Sequence, residues 1–544
     1  MRRGVAWMVA TGIAAAPWIA FGADAPEPAT AASAANASLP IRDGVLELSL
    51  ADAVRLAIQR NLDVELLRFD PLVAQEDLGS AWGAYDPELF GEGGVVDSQQ
   101  QSANGLQGVG LFKDRIWDGR AGFRGLVPWI GASYEAYYSN QEEETTAPFA
   151  LLSPENTGSY QAVVQIPLLR GLFWDPIWTQ VRLARIGVAA SDEQFRAQLM
   201  DVVQHTEDGY WALLAAQDER RVAEKSLETA KALLEQTQAQ YEVGVVSKVE
   251  VVQAEAGVAD REFRLITADA VERNTQDALI DAVLGPYLEP ETELTVNATD
   301  RPEEISIRAV STTAATEHAM ARRPEIELAR KDIERRKIEV AAASNARLPQ
   351  LDVVGSFGQN GISGSPSDHA SPFFGGTIEP GTRLPGTRWD DANNDLFTTD
   401  AGRTYTVRGL LSIPLGNNTA RHQHDKAKLE LRRSQTALTR LEQSIVSEIR
   451  RSARVLRSSV EGIDAAARGE AAAAEQLRAE RIRLEHGEST PFDVLQREED
   501  LIRAQAQKIA AEKTYHSAIS ALDRAQGTIL DRHHIVIDDA ATLR

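Results

Sequence analysis

The 544-residue sequence contains no cysteine. That absence excludes disulfide staples, cysteine-ligated zinc, thiol catalysis and a lipid-modified N-terminal cysteine. Cations are the minority charge, with 57 Lys plus Arg against 80 Asp plus Glu and a net charge of −23. No nucleic-acid partner is expected from this balance, because phosphate binding needs clustered cations. Beyond the N-terminus every apolar stretch is cut by charges, so no later segment reads as a membrane-spanning helix. A phosphate-binding Walker loop, a Gly-x-Gly-x-x-Gly turn, a His-Glu-x-x-His pair and a Gly-x-Ser-x-Gly elbow are all missing. No enzyme activity, cofactor or metal is therefore expected. His422-x-His424 has only Asp425 nearby, and His533-His534 stands bare of further ligand residues.

What is present begins with an export address. Arg2 and Arg3 precede an apolar run, Val5 to Phe21, interrupted by Pro17 and followed by the small residues Gly22, Ala23 and Ala25. Residues 1–22 read as a signal peptide, with cleavage after 25 as the variant, and 23–48 as a flexible tether rich in Ala, Pro and Ser. If the exported chain enters a membrane, it does so as strands closed into a barrel, because lipid satisfies no backbone hydrogen bonds.

The mature chain repeats itself. Ala57–Leu66 aligns with Ala319–Leu328 at an offset of 262, Val164–Leu168 with Leu411–Leu415 at 247, and Tyr241–Gly244 with Leu484–Gly487 at 243. Blocks in one order with slowly drifting offsets predict two copies of a single unit, 49–300 and 312–530. Residues 301–311 join them and 531–544 form a tail. Each copy reads helix, strands, long helix, turn, helix. Ser49, and Thr312 or Thr313, suit the N-caps of first helices running to about Gly83 and Arg347. The long helix of copy one, about 183–242, carries a 4-3 string from Phe195 and Leu199 through Leu213 and Leu227 to Tyr241. Ile445 to Leu484 continue the same seam in copy two, and a 3.5-residue period of that length marks a coiled coil. At 1.5 Å per residue the long helix spans ~90 Å and each flanking helix (about 50–83 and 248–283) ~50 Å, so two short helices stacked end to end match one long one.

Strands lie between the first and second helices. Tyr160, Ala162, Val164 and Ile166 alternate with Gln161, Val163 and Gln165, and Tyr405–Ile413 alternates likewise; Pro167 and Pro414 close both runs. Leu351–Phe357 and Leu89–Val95 read as opposing strands. Alternating segments of about ten residues with aromatic ends fit a lipid-facing barrel, and fit an ordinary soluble sheet as well. Gly122–Val127 and the aromatic Ala132–Tyr138 flank a turn and suggest an extra hairpin, whereas 360–403 has a surface-loop composition.

Taken in order, Leu48–Val54, the Ile166–Gly171 stretch Ile-Pro-Leu-Leu-Arg-Gly and the paired turns at Tyr241–Gly244 and Leu484–Gly487 resemble the TolC-like outer-membrane efflux protein family over about 45–535. The resemblance implies a homotrimer whose twelve-stranded barrel, four strands per protomer, spans the outer-membrane lipid and continues into a helical tunnel through the periplasm. The extra hairpin and the 360–403 loop exceed that plan.

The turns after the long helices carry helix-stop and helix-start chemistry. Gly244 and Gly487 suit left-handed ends, Ser247 and Thr490 suit N-caps, and Pro491 suits a first turn. Helix-hairpin geometry alone accounts for them. By resemblance the two turns, with Val245 and Ser489, form the periplasmic tip where adaptor hairpins dock. Asp493 then matches a constriction aspartate, Gln496 stands where a second acid is often found, and Glu250 is the copy-one counterpart of Asp493. Three Asp493 carboxylates would make a cation-favouring ring.

The expected fold class is mixed α and β: a long coiled-coil bundle, half of it from each copy, plus antiparallel strands contributing to a trimeric outer-membrane barrel. The expected function is the passive exit duct of a tripartite efflux or type I secretion system, served by a periplasmic adaptor and an inner-membrane RND or ABC pump. The competing reading is a periplasmic coiled-coil scaffold or adaptor; a secreted hydrolase is a third.

Overall fold

The computed structural model describes residues 41–42, 45–104, 108–148, 150–284, 294–300, 311–368, 386–398, 402–535, 537–539 and 542–543. The expected signal peptide, the tether up to residue 40 and the 301–310 linker lie outside the described residues.

After two short strands, β1 (Ile41–Arg42) and β2 (Val45–Leu48), the expected first helix is two helices, α1 (Leu50–Arg60) and α2 (Leu62–Gly83). Ser49 caps α1 as expected. Asn61 ends α1 in an extended conformation and caps α2 by accepting from Asp63 and Val64 N–H. The same break recurs in the second half between α5 (Thr312–Arg322) and α6 (Pro324–Asn345). There Ser311, not Thr312 or Thr313, is the cap, and Arg323 before Pro324 is forced out of the helix.

The long helices are α3 (Pro176–Glu242, 67 residues) and α8 (Asn418–Glu485, 68 residues), each ~100 Å by helical rise. α3 starts seven residues earlier than expected because Asp175 caps it and Pro176 opens it. Their return helices are α4 (Lys248–Leu284) and α9 (Pro491–Gln526). The 4-3 string is the buried seam: Phe195, Leu199, Thr206, Leu213, Ala216, Leu227, Ala230 and Thr237 are all buried. The two short helices do stack end to end. Asn61 Nδ2 donates to Ala282 O at 2.7 Å, joining the end of α4 to the start of α2 alongside α3. In the second half Arg524 of α9 reaches Glu325 of α6 at 2.6 Å.

At this junction extra strands and a short helix pack on the stalk. β2 pairs in parallel with β7 (Thr295–Ala298), and Leu46, Leu48, Val296 and Ala298 bury against Tyr210 and Leu213 of α3. A second cluster joins Val54, Val64, Phe195 and Met200 to Ile529 and Leu530 of the short helix α10 (Ile529–Arg532). β10 (Ile537–Asp539) and β11 (Thr542–Leu543) follow.

At the other end of α2, α3, α6 and α8 lies one antiparallel sheet. It holds β3 (Glu88–Asn104), β4 (Gly108–Val127), β5 (Ala132–Thr145), β6 (Leu152–Pro167), β8 (Gln350–Pro366) and β9 (Arg403–Ser412), in that order. Two expectations are corrected here. Among the described residues the sheet has six strands, not the four that the resemblance implied. Leu89–Val95 opposes β4 rather than the Tyr160–Ile166 strand, which lies between β5 and β8. The extra hairpin is β4–β5. It turns through Trp129 and Gly131, both at positive φ, and its arrival moves β3 one hairpin outward. The 360–403 segment is not all loop: β8 runs to Pro366, and α7 (Trp389–Thr398) packs on β6 and β8. Gly361 allows that contact, since a Cβ there would lie 2.3 Å from Ala392 O.

Candidate functional site: sheet faces and stalk tip

Register decides which side chains share a face. Leu89 pairs with Phe123, Gly91 with Ala121 and Val95 with Trp117. Ala121 pairs with Tyr138, Tyr138 with Tyr160, Ala162 with Phe357, and Phe357 with Tyr405. Successive residues alternate faces, so one face carries Leu, Val, Ala, Gly and aromatic residues across all six strands. It is not covered by protein over most of its extent: Val407 is 81 % exposed, Tyr405 73 %, Leu89 67 % and Phe123 57 %. The opposite face is mixed: it carries the charged and polar residues Glu88, Glu92, Arg120, Arg124, Glu135, Gln161, Gln165, Asp352, Thr404 and Arg408, with Phe90, Val96, Val163, Val354 and Leu410 among them. Arg124 bonds Glu88 at 2.7 Å and Arg120 bonds Glu92 at 2.8 Å. An apolar row over six strands, open at β3, β4 and β9 and partly covered by α7 at Tyr160, backed by a face that holds nearly all the charges, is the pattern of a barrel wall with lipid outside and water inside. Where the sheet passes beyond the apolar row, Asp97 and Arg115 pair on that same outer face at 2.7 Å.

At the far end of the stalk both turns close alike. Gly244 has φ +78° and Gly487 φ +77°. Val245 N–H reaches Gln240 O at 2.8 Å and Gly244 N–H reaches Tyr241 O at 3.0 Å; Glu488 reaches Arg483 O at 2.8 Å and Gly487 reaches Leu484 O at 3.0 Å. These paired bonds make a Schellman motif twice over, which ends a helix only where glycine, or a residue tolerant of left-handed backbone, stands at C′. α4 starts directly after Ser247. Thr490 and Asp493 form a reciprocal capping box, with Pro491 at the first helical position. Asp493 is exposed, and its carboxylate accepts from the Thr490 hydroxyl at 2.7 Å and the Thr490 N–H at 3.3 Å. Those bonds hold it below the usual aspartate range, Arg483 adding to the effect. Gln496 is exposed, Glu250 half-buried and Ser489 partly covered, donating to Glu480. Tyr241, Val243, Val245, Val249 and Phe492 leave an apolar patch open at the tip.

Above the tip the two hairpins are locked together. Arg261 of α4 and Glu498 of α9, each almost fully buried, approach to 3.7 Å, and Arg481 of α8 donates to Glu498 at 2.8 Å. Arg264 donates to Glu499 at 2.9 Å. Where α3, α9 and α10 meet, sequence reasoning missed a buried charge. Glu207 of α3 is fully buried and accepts from Ser520 and His533, with Arg532 at 3.0 Å. Burial alone would raise its pKa, but the His533, Arg532 and Ser520 interactions win and lower it. His533 is thus not bare. Neither is His424, whose Nδ1 lies 3.1 Å from Arg347 Nη1. Among the described residues no cluster of His, Asp or Glu is arranged to hold a metal ion, and no helix is long and apolar enough to cross a membrane.

Against the profile of outer membrane efflux proteins the chain matches over residues 120–284 and 315–528, well over half its length. It belongs to that family. Among solved structures, the CmeC outer membrane channel of Campylobacter jejuni superposes with a TM-score of 0.63 at 17 % identity, covering 88 % of this chain and 85 % of its own. VceC, an outer membrane protein of Vibrio cholerae, gives 0.59 at 16 % identity with 88 % and 96 % covered. The MtrE outer membrane channel of Neisseria gonorrhoeae, in its open state, gives 0.57 at 16 % identity with 88 % and 89 % covered. A search of curated proteins by sequence finds no match. The helical stalk and the antiparallel sheet are therefore those of an outer membrane efflux channel fold, and the family and its structural neighbours are channels rather than enzymes.

Proposed function

We propose that three copies of this outer membrane efflux protein form one duct. Their sheets close a barrel through the outer membrane and their stalks form a tunnel into the periplasm. The duct gives passive exit to cargo delivered by an inner-membrane RND or ABC pump through a periplasmic adaptor, in efflux or in type I secretion. One observation carries the reading: a sheet apolar and exposed on one face, with nearly all its charges on the other, joined by short turns to a stalk of ~100 Å helices. Such a sheet cannot stay open in lipid, because edge N–H and C=O groups find no partners there, and one copy is too narrow to close on itself.

The tip supports the rest. Val243, Val245 and Val249 offer apolar surface to an adaptor hairpin at the two glycine turns, Gly244 with Ser247 and Gly487 with Ser489, Thr490 and Pro491. Asp493 of each copy contributes one carboxylate to an acidic constriction, with Gln496 and Glu250 beside it. The Arg261–Glu498–Arg481 cluster holds the two hairpins of each copy together.

Purified protein in a planar bilayer tests this. Expected are detergent-dependent trimers passing a cation-preferring current, which multivalent cations block; Asp493→Ala weakens that block. A soluble monomer without current would favour the scaffold reading instead. An unchanged block in Asp493→Ala would remove Asp493 from the constriction.

A further inference from the structure

The family resemblance implies four strands per copy, yet among the described residues this chain's sheet has six, and the added strands belong to the wall. β3 and β4 pair over 17 consecutive positions without a register shift, and β4 pairs with β5 over 14 more. The outer apolar row runs on across them through Leu89, Val95, Phe123 and Trp117. A flap folded outside a four-stranded wall would break that row at β5. Instead β5 has both its edges occupied, by β4 and β6, and the sheet's outermost strands are β3 and β9.

Chain direction fixes how those edges meet. β3 leaves the stalk after α2, β9 returns to it before α8, and the strands between alternate. Copies related by rotation therefore bring an outgoing β3 against a returning β9, and the antiparallel ladder continues across the joint.

Building on the trimeric reading, we propose that β3 of one copy pairs with β9 of the next, so that the barrel has eighteen strands, not twelve. With strands about 4.7 Å apart and tilted ~40°, eighteen strands enclose a backbone cylinder ~35 Å across, against ~23 Å for twelve. The outer end is then half again as wide as the family plan, comparable in strand number to aqueous porin channels. Cargo size is limited by the stalk and its tip, and the exit admits bulkier solutes than a twelve-stranded one.

The cysteine-free sequence makes the joint directly testable. Cysteines are placed in the full-length chain at Gly91, Gly93 or Val95 on β3, each combined with one at Val407, Gly409 or Leu411 on β9. A second set combines Tyr134, Ala136 or Tyr138 on β5 with the same β9 positions. A disulfide needs Cβ atoms about 3.5–4.5 Å apart, so only adjoining strands link. Oxidation of detergent-solubilised protein is expected to give a ladder ending at trimer for at least one β3–β9 pair, and monomer alone for every β5–β9 pair. Linking through β5, or trimers in which no β3–β9 pair links, would overturn the eighteen-stranded wall while leaving the trimer intact. Monomers in detergent for the parent chain and the single-cysteine variants alike would instead overturn the trimer itself. Counting strands by electron microscopy of the parent trimer is the independent check: eighteen supports the proposal and twelve ends it.

Discussion

Ala121→Arg is the sharpest perturbation of the wall. Ala121 is exposed on β4, in the apolar row that runs from Trp117 through Phe123 to Val127. At about 3.3 Å per residue and a tilt of ~40°, the ten steps from Trp117 to Val127 rise ~25 Å, the height of a bilayer-facing band. Ala121 lies four residues from the Trp117 end, ~10 Å in and close to the middle of the band. An arginine at the bilayer midplane costs about 2–4 kcal/mol. With 1.36 kcal/mol per decade, that lowers the folded-to-unfolded ratio ~30- to ~900-fold. Thr404→Arg, on the same face as Arg408, is the control and should cost under about 0.5 kcal/mol. Reversible urea unfolding in lipid bilayers, read by tryptophan fluorescence, gives both values. Equal, small costs at both positions would show that β4 does not face lipid, and the assignment of faces would fail.

Other consequences are independent of the wall. His516 stacks on Trp211 with ring centroids 3.7 Å apart, and burial, aided by nearby Arg532, pushes its pKa from 6.5 down to about 4. A base whose folded pKa is depressed loses stability as pH falls from about 6.5 to about 4, so His516→Phe should flatten the pH dependence of melting in that window. Glu207→Gln leaves His533 and Arg532 without their buried anion and should destabilise by about 3 kcal/mol in thermal melts. Glu207, its pKa lowered, contributes stability above the ordinary carboxylate pKa and loses it as pH falls through the lowered value. Glu498→Ala strands buried Arg261, should cost about 3 kcal/mol locally, and should speed hydrogen exchange in α4 and α9 near the tip. Gly487→Ala forces a Cβ into left-handed backbone at φ +77°, costs about 1 kcal/mol, and frays the last turn of α8 in the same measurement.

The helices were legible because a 3.5-residue repeat leaves a mark at every turn of a 67-residue helix. Their interruptions were written less plainly: Asn61 and the Arg323-Pro324 pair each cost one helical boundary in a run otherwise rich in helix formers. Proline and glycine fixed the tip turns residue by residue, since few other residues adopt those backbone angles. Strands fared worse. The outer parts of β3 and β4 are rich in Gly, Gln and Ser, so their alternation fades, and only pairing with a neighbour reveals a wall of six. α7 was hidden inside a loop-like composition. Glu207, Ser520 and His533 could not be joined in advance, because more than 300 residues separate Glu207 from its partners. For Asp493 the structure adds a capping role that any helix start would value, beside the constriction role proposed above.

In the assembled duct one face of the sheet is proposed to meet lipid and the other water. Nitroxide labels on single cysteines at Val407 and Thr406, neighbours on β9 pointing opposite ways, test it in reconstituted trimers by collision with oxygen and with a water-soluble nickel chelate. Val407 is expected to collide mainly with oxygen, as a site in hydrocarbon does, and Thr406 mainly with the chelate. Equal access of the chelate to both sites, or its exclusion from both, would contradict it.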